Sequence, residues 1–253
     1  MLIKTINTER LVTYVYDTRD EMGAAAAKYA EECINSVIEE KGFANVIFAA
    51  APSQNETLYH FLKSSVDFTK VNAFHMDEYL GLSIKDEQSF AKYLFDHVFS
   101  HAPFASVHYL PATLEKDAAC RSYSDLLVSF PPDVVLMGIG ENGHIAFNDP
   151  PVADFNDPYL VKPVALDEVC RMQQVHDGCF PDIDSVPRYA LTLTVPALVS
   201  ARYLVCTVPA PTKANAVNAM LNGEYGEVCP ATALRRHGGA KMFLDKDSAA
   251  LVI

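Results

Sequence analysis

Asn45 to Ala50 reads NVIFAA, a run dominated by apolar residues with no alternating polar face. A half-exposed strand alternates apolar with polar residues, so a strand without that alternation has to be covered on both faces. Val134 to Met137 (VVLM) repeats the feature, and Leu11 to Tyr16, Val71 to Met76, Tyr189 to Val195, Tyr203 to Val208 and Lys241 to Leu244 are further strand candidates. Segments of helical character lie between them. Met22 to Glu40 follows Thr18 and Glu21, which have capping-box spacing, and closes near Gly42. Thr57 to Lys63, Glu87 to Phe99, Glu115 to Ser129 and Thr212 to Leu221 follow, the last closed by Asn222-Gly223. Buried strands alternating with helices predict an α/β fold with a mostly parallel sheet and helices on both faces. No repeat or linker interrupts the 253 residues, so a single domain is expected over 1–253.

Residues 150–187 depart from this alternation. The stretch is rich in Pro, Asp and Asn and long for a connection, yet it carries Phe155, Leu160, Val164, Leu166 and Phe180. It is expected to be an ordered cover over the site, with ligands bound beyond the carboxyl ends of the strands. A net charge of −12 argues against nucleic acid or an anionic membrane as partner. Charged residues Glu9, Arg10 and Asp17 stand where a signal peptide would be apolar, and no run approaches the ~20 apolar residues of a membrane span. The six cysteines, at 33, 120, 170, 179, 206 and 229, form no CxxC pair and read as reduced thiols, not as a disulfide framework or zinc site. A cytoplasmic protein is expected.

Gly138 to Pro150, directly after VVLM, reads GIGENGHIAFNDP. Gly138, Gly140 and Gly143 satisfy the GxGxxG spacing of a dinucleotide site. That fingerprint should open a helix in the first strand–helix turn, whereas here Pro150-Pro151 stops any helix after about one turn, and the turn is a late one. A nicotinamide-dependent oxidoreductase is therefore set aside. His144 and Asp149 are close enough in sequence for the carboxylate to orient the imidazole, a pair able to move a proton to and from a ring oxygen. A structural histidine bonded within its own loop is the competing reading.

Phe74 to Leu82 reads FHMDEYLGL. If the strand continues through Met76, alternation sets His75 and Asp77 on one face. Asp77 would stand at a carboxyl end, suited to act as general base on a carbon acid next to a carbonyl, and the adjacent Glu78 would press its pKa upward. A metal site of His75, Asp77 and His144 lacks any supporting spacing.

MDEYLGL and GIGENGHIAFNDP together resemble the signatures of the glucosamine-6-phosphate deaminase (isomerase) family, which shares a superfamily with 6-phosphogluconolactonases. SVPRYALTLTVPAL at 185–198 and PTKANAVNAMLNG at 211–223 extend the resemblance along almost the whole chain. It implies a Rossmann-like fold and a sugar-phosphate enzyme without metal or redox cofactor. Asp77 would carry the proton between C2 and C1, while His144, supported by Asp149 and Asn142, would open the pyranose ring. Arg171 and Lys213 would hold the phosphate, with Ser53 and Gln54 in the phosphate loop, and Gly140, Gly143 and Glu78 would also border the substrate.

The chain departs from the family at three places. Pro52-Ser53-Gln54-Asn55 replaces a glycine-rich phosphate loop, Asp149 replaces glutamate, and Asn142 stands where many members have aspartate. The expected product is a ketose phosphate plus ammonia. The alternatives are lactone hydrolysis, disfavoured by AFNDP after the histidine, and a non-catalytic sugar-phosphate sensor. Self-association is left open, since members range from monomers to hexamers. The chain ends soon after Lys241 to Leu244, so the C-terminal elaboration of allosteric members is not expected.

Overall fold

The computed structural model describes residues 1–166, 168–176 and 178–253. Its strands are β1 (Leu2–Thr8), β2 (Leu11–Tyr16), β3 (Ala44–Phe48), β4 (Val71–His75), β5 (Asp77–Tyr79), β6 (Ser106–His108), β7 (Val134–Met137), β8 (Val161–Ala165), β9 (Tyr189–Leu193), β10 (Tyr203–Val208) and β11 (Ala240–Asp245). Its helices are α1 (Arg19–Lys41), α2 (Asn55–Phe61), α3 (Phe90–Leu94), α4 (Lys116–Ser129), α5 (Glu168–His176), α6 (Val195–Val199) and α7 (Ala214–Asn222). Eight strands form the main sheet in the order β1-β2-β11-β10-β7-β3-β4-β6. All neighbours run parallel except the β1–β2 hairpin at one edge.

The central strands follow from their composition. Every residue of β3 and β7 is buried, because helices cover both faces. One core unites α1, α2 and α3 with one face through Ile34, Phe61 and Leu94, and a second unites α4, α6 and α7 with the other through Tyr123, Leu198 and Met220. Helix α1 starts at the expected capping box, where Thr18 and Glu21 satisfy each other's backbone, and ends at Gly42, whose N–H reaches the Ile38 carbonyl at 2.8 Å.

The expected single mostly parallel sheet is joined by a second, antiparallel sheet, β5-β9-β8. The Tyr189 strand belongs to this smaller sheet, and residues 150–187 contain strand β8 and helix α5 where no periodicity was expected. Lys162 and Pro163 break the apolar pattern of β8 because that strand sits at the edge of its sheet. Phe180, Val164 and Val186 from this region pack with Tyr79, Phe90 and Phe147 into a third, aromatic core. The segment expected as one helix over Glu87–Phe99 is shorter: α3 passes into a π-helical turn at Phe95–Phe99. Cys33, Cys120, Cys179, Cys206 and Cys229 are reduced thiols, while the side chain of Cys170 lies outside the described residues. Among the described residues no helix is long and apolar enough to cross a membrane.

Candidate active site

Four adjacent strands, β10, β7, β3 and β4, deliver their carboxyl ends to one cavity. Ala49, Ser53 and Gln54 reach it after β3, Met76 and Asp77 after β4, Gly138 and Gly140 after β7, and Lys213 after β10. The chain passes from β3 outward to β4 and β6, then crosses back to β7, so the winding reverses between β3 and β7 at the floor of this cavity. Both stretches singled out in the sequence therefore meet here.

The histidine turn is fixed from several sides. Gly143 takes the left-handed conformation at φ +83°, and Gly140 receives the His144 ring so closely that a Cβ there would lie 2.1 Å from Cε1. His144 Nδ1 lies 2.8 Å from Asn142 Oδ1 and 3.0 Å from Asp149 Oδ1, while Asn142 Nδ2 donates to Asp149 Oδ1 at 2.8 Å. Both groups facing Nδ1 are acceptors, so Nδ1 carries the proton and Nε2 is left to exchange one in the cavity. The shorter Asp149 side chain still reaches the imidazole, and Asn142 bridges the two. Gly143 itself does not line the cavity: its turn packs on Cys229.

Asp77 stands at the junction of the two sheets. The main sheet's strand ends at His75, and after Met76 the chain joins β5, so alternation does not run through Met76 as expected. His75 faces Leu110 and Glu78 instead of the cavity, with Nδ1 accepting from the Leu110 N–H at 3.4 Å, so His75 does not share a face with Asp77. Burial pushes the Asp77 carboxyl well above the usual carboxylate range, and the charge of Glu78 adds to the rise.

Glu78 points away from the cavity, as the period of two along β5 requires, and is not among the residues that line it. Its carboxylate accepts from the backbone N–H groups of Tyr79 (2.9 Å), Phe90 (3.1 Å) and Ala91 (2.8 Å), tying β5 to the start of α3. Glu78→Gln is expected to destabilise the fold by about 2 kcal/mol, or roughly 5 °C in melting temperature. It is also expected to move the acidic limb of the kcat/KM profile to lower pH, because one of the two causes raising Asp77 is removed. A pH series on the variant beside thermal melts checks both directions.

Lys213, also on the cavity wall, is 6% exposed and sits in the turn Pro211–Lys213 that leads into α7. Asp245 holds that turn by accepting from Ala210 N at 3.0 Å, where Ala210 takes φ +83°. Gln54 donates its amide to the Thr207 carbonyl and to Ser53 Oγ, both at 3.2 Å, so it braces the loop while Ser53 keeps its own proton to donate. Arg171 does not line the cavity. Its guanidinium Nη2 donates to the Ile183 and Val186 carbonyls, the latter at 3.0 Å, and ties α5 to the segment before β9. Gln174, one turn further along α5, occupies the cavity wall instead.

Strand β9 was not expected to bear on the chemistry. Thr192 is the register partner of Asp77, and its hydroxyl accepts from Phe147 N at 3.1 Å. Leu193 donates its N–H to the Met76 carbonyl at 2.8 Å, and its own carbonyl accepts from Asn148 Nδ2 at 2.8 Å. Asn148 lies in the FND tripeptide of the quoted motif, next to Ala146 at φ +48°, which is the one sequence signal that could have pointed to this bracing.

The family described as glucosamine-6-phosphate isomerases/6-phosphogluconolactonase matches residues 17–243. The chain belongs to this family. It is 30% identical over 239 residues to a glucosamine-6-phosphate deaminase of Bacillus cytotoxicus, covering 94% of this chain and 87% of that protein. A Bacillus cereus glucosamine-6-phosphate deaminase is 31% identical over the same shares. Among solved structures, a monomeric glucosamine-6-phosphate deaminase superposes with a TM-score of 0.86 at 29% identity, over 94% of this chain and 99% of that one. A 6-phosphogluconolactonase from Thermotoga maritima gives 0.76 at 20% identity, over 93% of this chain and 100% of that one, and shares the fold. Among the described residues no group of three or more His, Cys, Asp or Glu is placed to hold a metal ion.

Proposed function

We propose that the chain is a cytoplasmic aldose–ketose isomerase and deaminase that converts glucosamine 6-phosphate, or a close amino-sugar phosphate, and water to the ketose phosphate and ammonia. The observation that carries this reading is one cavity shared by a buried carboxyl with a raised pKa, Asp77, and an imidazole with its second nitrogen open to the cavity, His144. His144 Nε2 takes the proton of the anomeric hydroxyl and returns one to the ring oxygen, opening the ring, while Asp149 and Asn142 stabilise and orient the imidazole. Asp77 then removes the C2 proton and delivers it to C1; the amine-bearing C2 becomes an iminium, which water converts to the ketone as ammonia leaves. Lys213 and the Ser53 hydroxyl hold the far end of the sugar. Reduced, largely buried cysteines accord with a reducing compartment.

The test is a coupled assay of ammonia and fructose 6-phosphate formed from glucosamine 6-phosphate, with 6-phosphogluconolactone as control. Both products are expected in equal amounts, with no hydrolysis of the lactone. Release of neither product, or turnover of the lactone alone, would refute the reading.

A further inference from the structure

Lys213 is the one lysine or arginine that lines the cavity among the described residues. The chain delivers it through the sequence VPAPTK at 208–213, where β10 ends and the turn before α7 begins. Pro209 and Pro211 each have φ locked at about −65° and no N–H to donate. Between them, Ala210 supplies the only adjustable φ and the only backbone donor. It stands at φ +83° and ψ 150°, a region populated almost solely by glycine and costly for alanine. Pro211 accounts for the ψ, since the residue before a proline is driven to extended values, but it gives no reason for a positive φ.

A strained residue persists only where its surroundings over-determine it, and Asp245 does so here. Strand β11 pairs with β10 in parallel, Val208 opposite Leu244, so Asp245 lies beside the point where the chain leaves β10. Its buried carboxylate accepts from Ala210 N at 3.0 Å through Oδ2 and at 3.2 Å through Oδ1. The Ala210 carbonyl in turn accepts from Lys213 N at 3.1 Å. We infer that Asp245 is a positioning residue for Lys213: its grip on Ala210 forces a glycine-like conformation and so aims the lysine-bearing turn at the cavity. Asp245 itself does not line that cavity. It also accepts from Ser248 N at 2.8 Å, so bracing the chain after β11 is the purely structural role that a test must separate. The inference rests on the reading that Lys213 grips a sugar phosphate.

The experiment pairs turnover with binding on the full chain. Kinetics follow ammonia release from glucosamine 6-phosphate, and calorimetry uses glucitol 6-phosphate, which has no carbonyl to react. Asp245→Ala is expected to raise KM and weaken glucitol 6-phosphate binding by about tenfold each, with kcat within about threefold of wild type. Ala210→Gly in that background should bring both back to within about threefold of wild type, because glycine takes a positive φ without the carboxylate. In a Lys213→Met chain, Asp245→Ala should add less than about twofold. Asp245→Asn serves if the alanine variant melts early: with its oxygen left on Ser248, its NH2 faces Ala210 N in place of Oδ2, and KM should again rise. Failure of Ala210→Gly to rescue, losses that add to those of Lys213→Met, or a KM within about twofold of wild type in a folded Asp245 variant would overturn the assignment. Loss and rescue of glucitol 6-phosphate binding without ammonia from the wild type would instead sink the proposed reaction and leave the assignment standing. No binding of glucitol 6-phosphate by the wild type would overturn both.

Discussion

Asp77→Asn is expected to lower kcat on glucosamine 6-phosphate by ~10²- to 10⁴-fold, the range lost with a general base. The amide is nearly isosteric, so KM should change little, and the loss should lie in the chemical step. The same substitution should raise the melting temperature at neutral pH. A carboxyl whose folded pKa lies above its unfolded value favours folding below the unfolded pKa, near 3.8, and loses that contribution as pH rises through the folded value. At pH 7 the wild type therefore keeps Asp77 at a cost that the amide of the variant would not carry, while below about pH 4 the two proteins should melt alike. A melt series from pH 4 to 8 beside the kinetics checks both halves. Equal stability at pH 7 would contradict the raised pKa, and undiminished kcat would remove Asp77 from the mechanism.

Gly140→Ala should cost nearly as much through geometry alone. The new methyl would lie 2.1 to 2.3 Å from three ring atoms of His144, so the imidazole must leave its place. Displacement of a catalytic group by about 1 Å can cost ~10²-fold, and that is the expected fall in kcat. Gly140 is not in the left-handed region, so the fold should survive. A double-mutant cycle separates the causes: if Gly140 acts only by admitting the ring, Gly140→Ala adds nothing to His144→Ala. Additive losses would show a second role for the glycine.

Much of this site was legible because chemistry and backbone signals coincide in the same residues. VVLM ends in a glycine turn, and Asp77 follows an apolar strand, so both could be placed at carboxyl ends without knowing the sheet order. The break at Met76 was not legible, since β5 is three residues long and its partner lies more than a hundred residues away. Glu78 shows the consequence: adjacent acids look equivalent in sequence, yet one enters the cavity while the other caps α3. Arg171 lies in a segment without clear periodicity, where the rotation of a helix cannot be phased from the sequence, and the packing of its guanidinium against the Ile183 and Val186 carbonyls was not legible there.

Strand β9 has a consequence for how such a protein can change. Thr192 and Leu193 grip the aspartate strand on one side and the histidine turn on the other, while β9 contributes no side chain to the cavity. The placement of Asp77 relative to His144 is thus set by a strand that does not line the cavity. Gln174, Ser53 and Lys213 hang on separate elements, α5 and the turns after β3 and β10. Mutation in those elements can therefore reshape the cavity wall while leaving the placement of Asp77 relative to His144 intact.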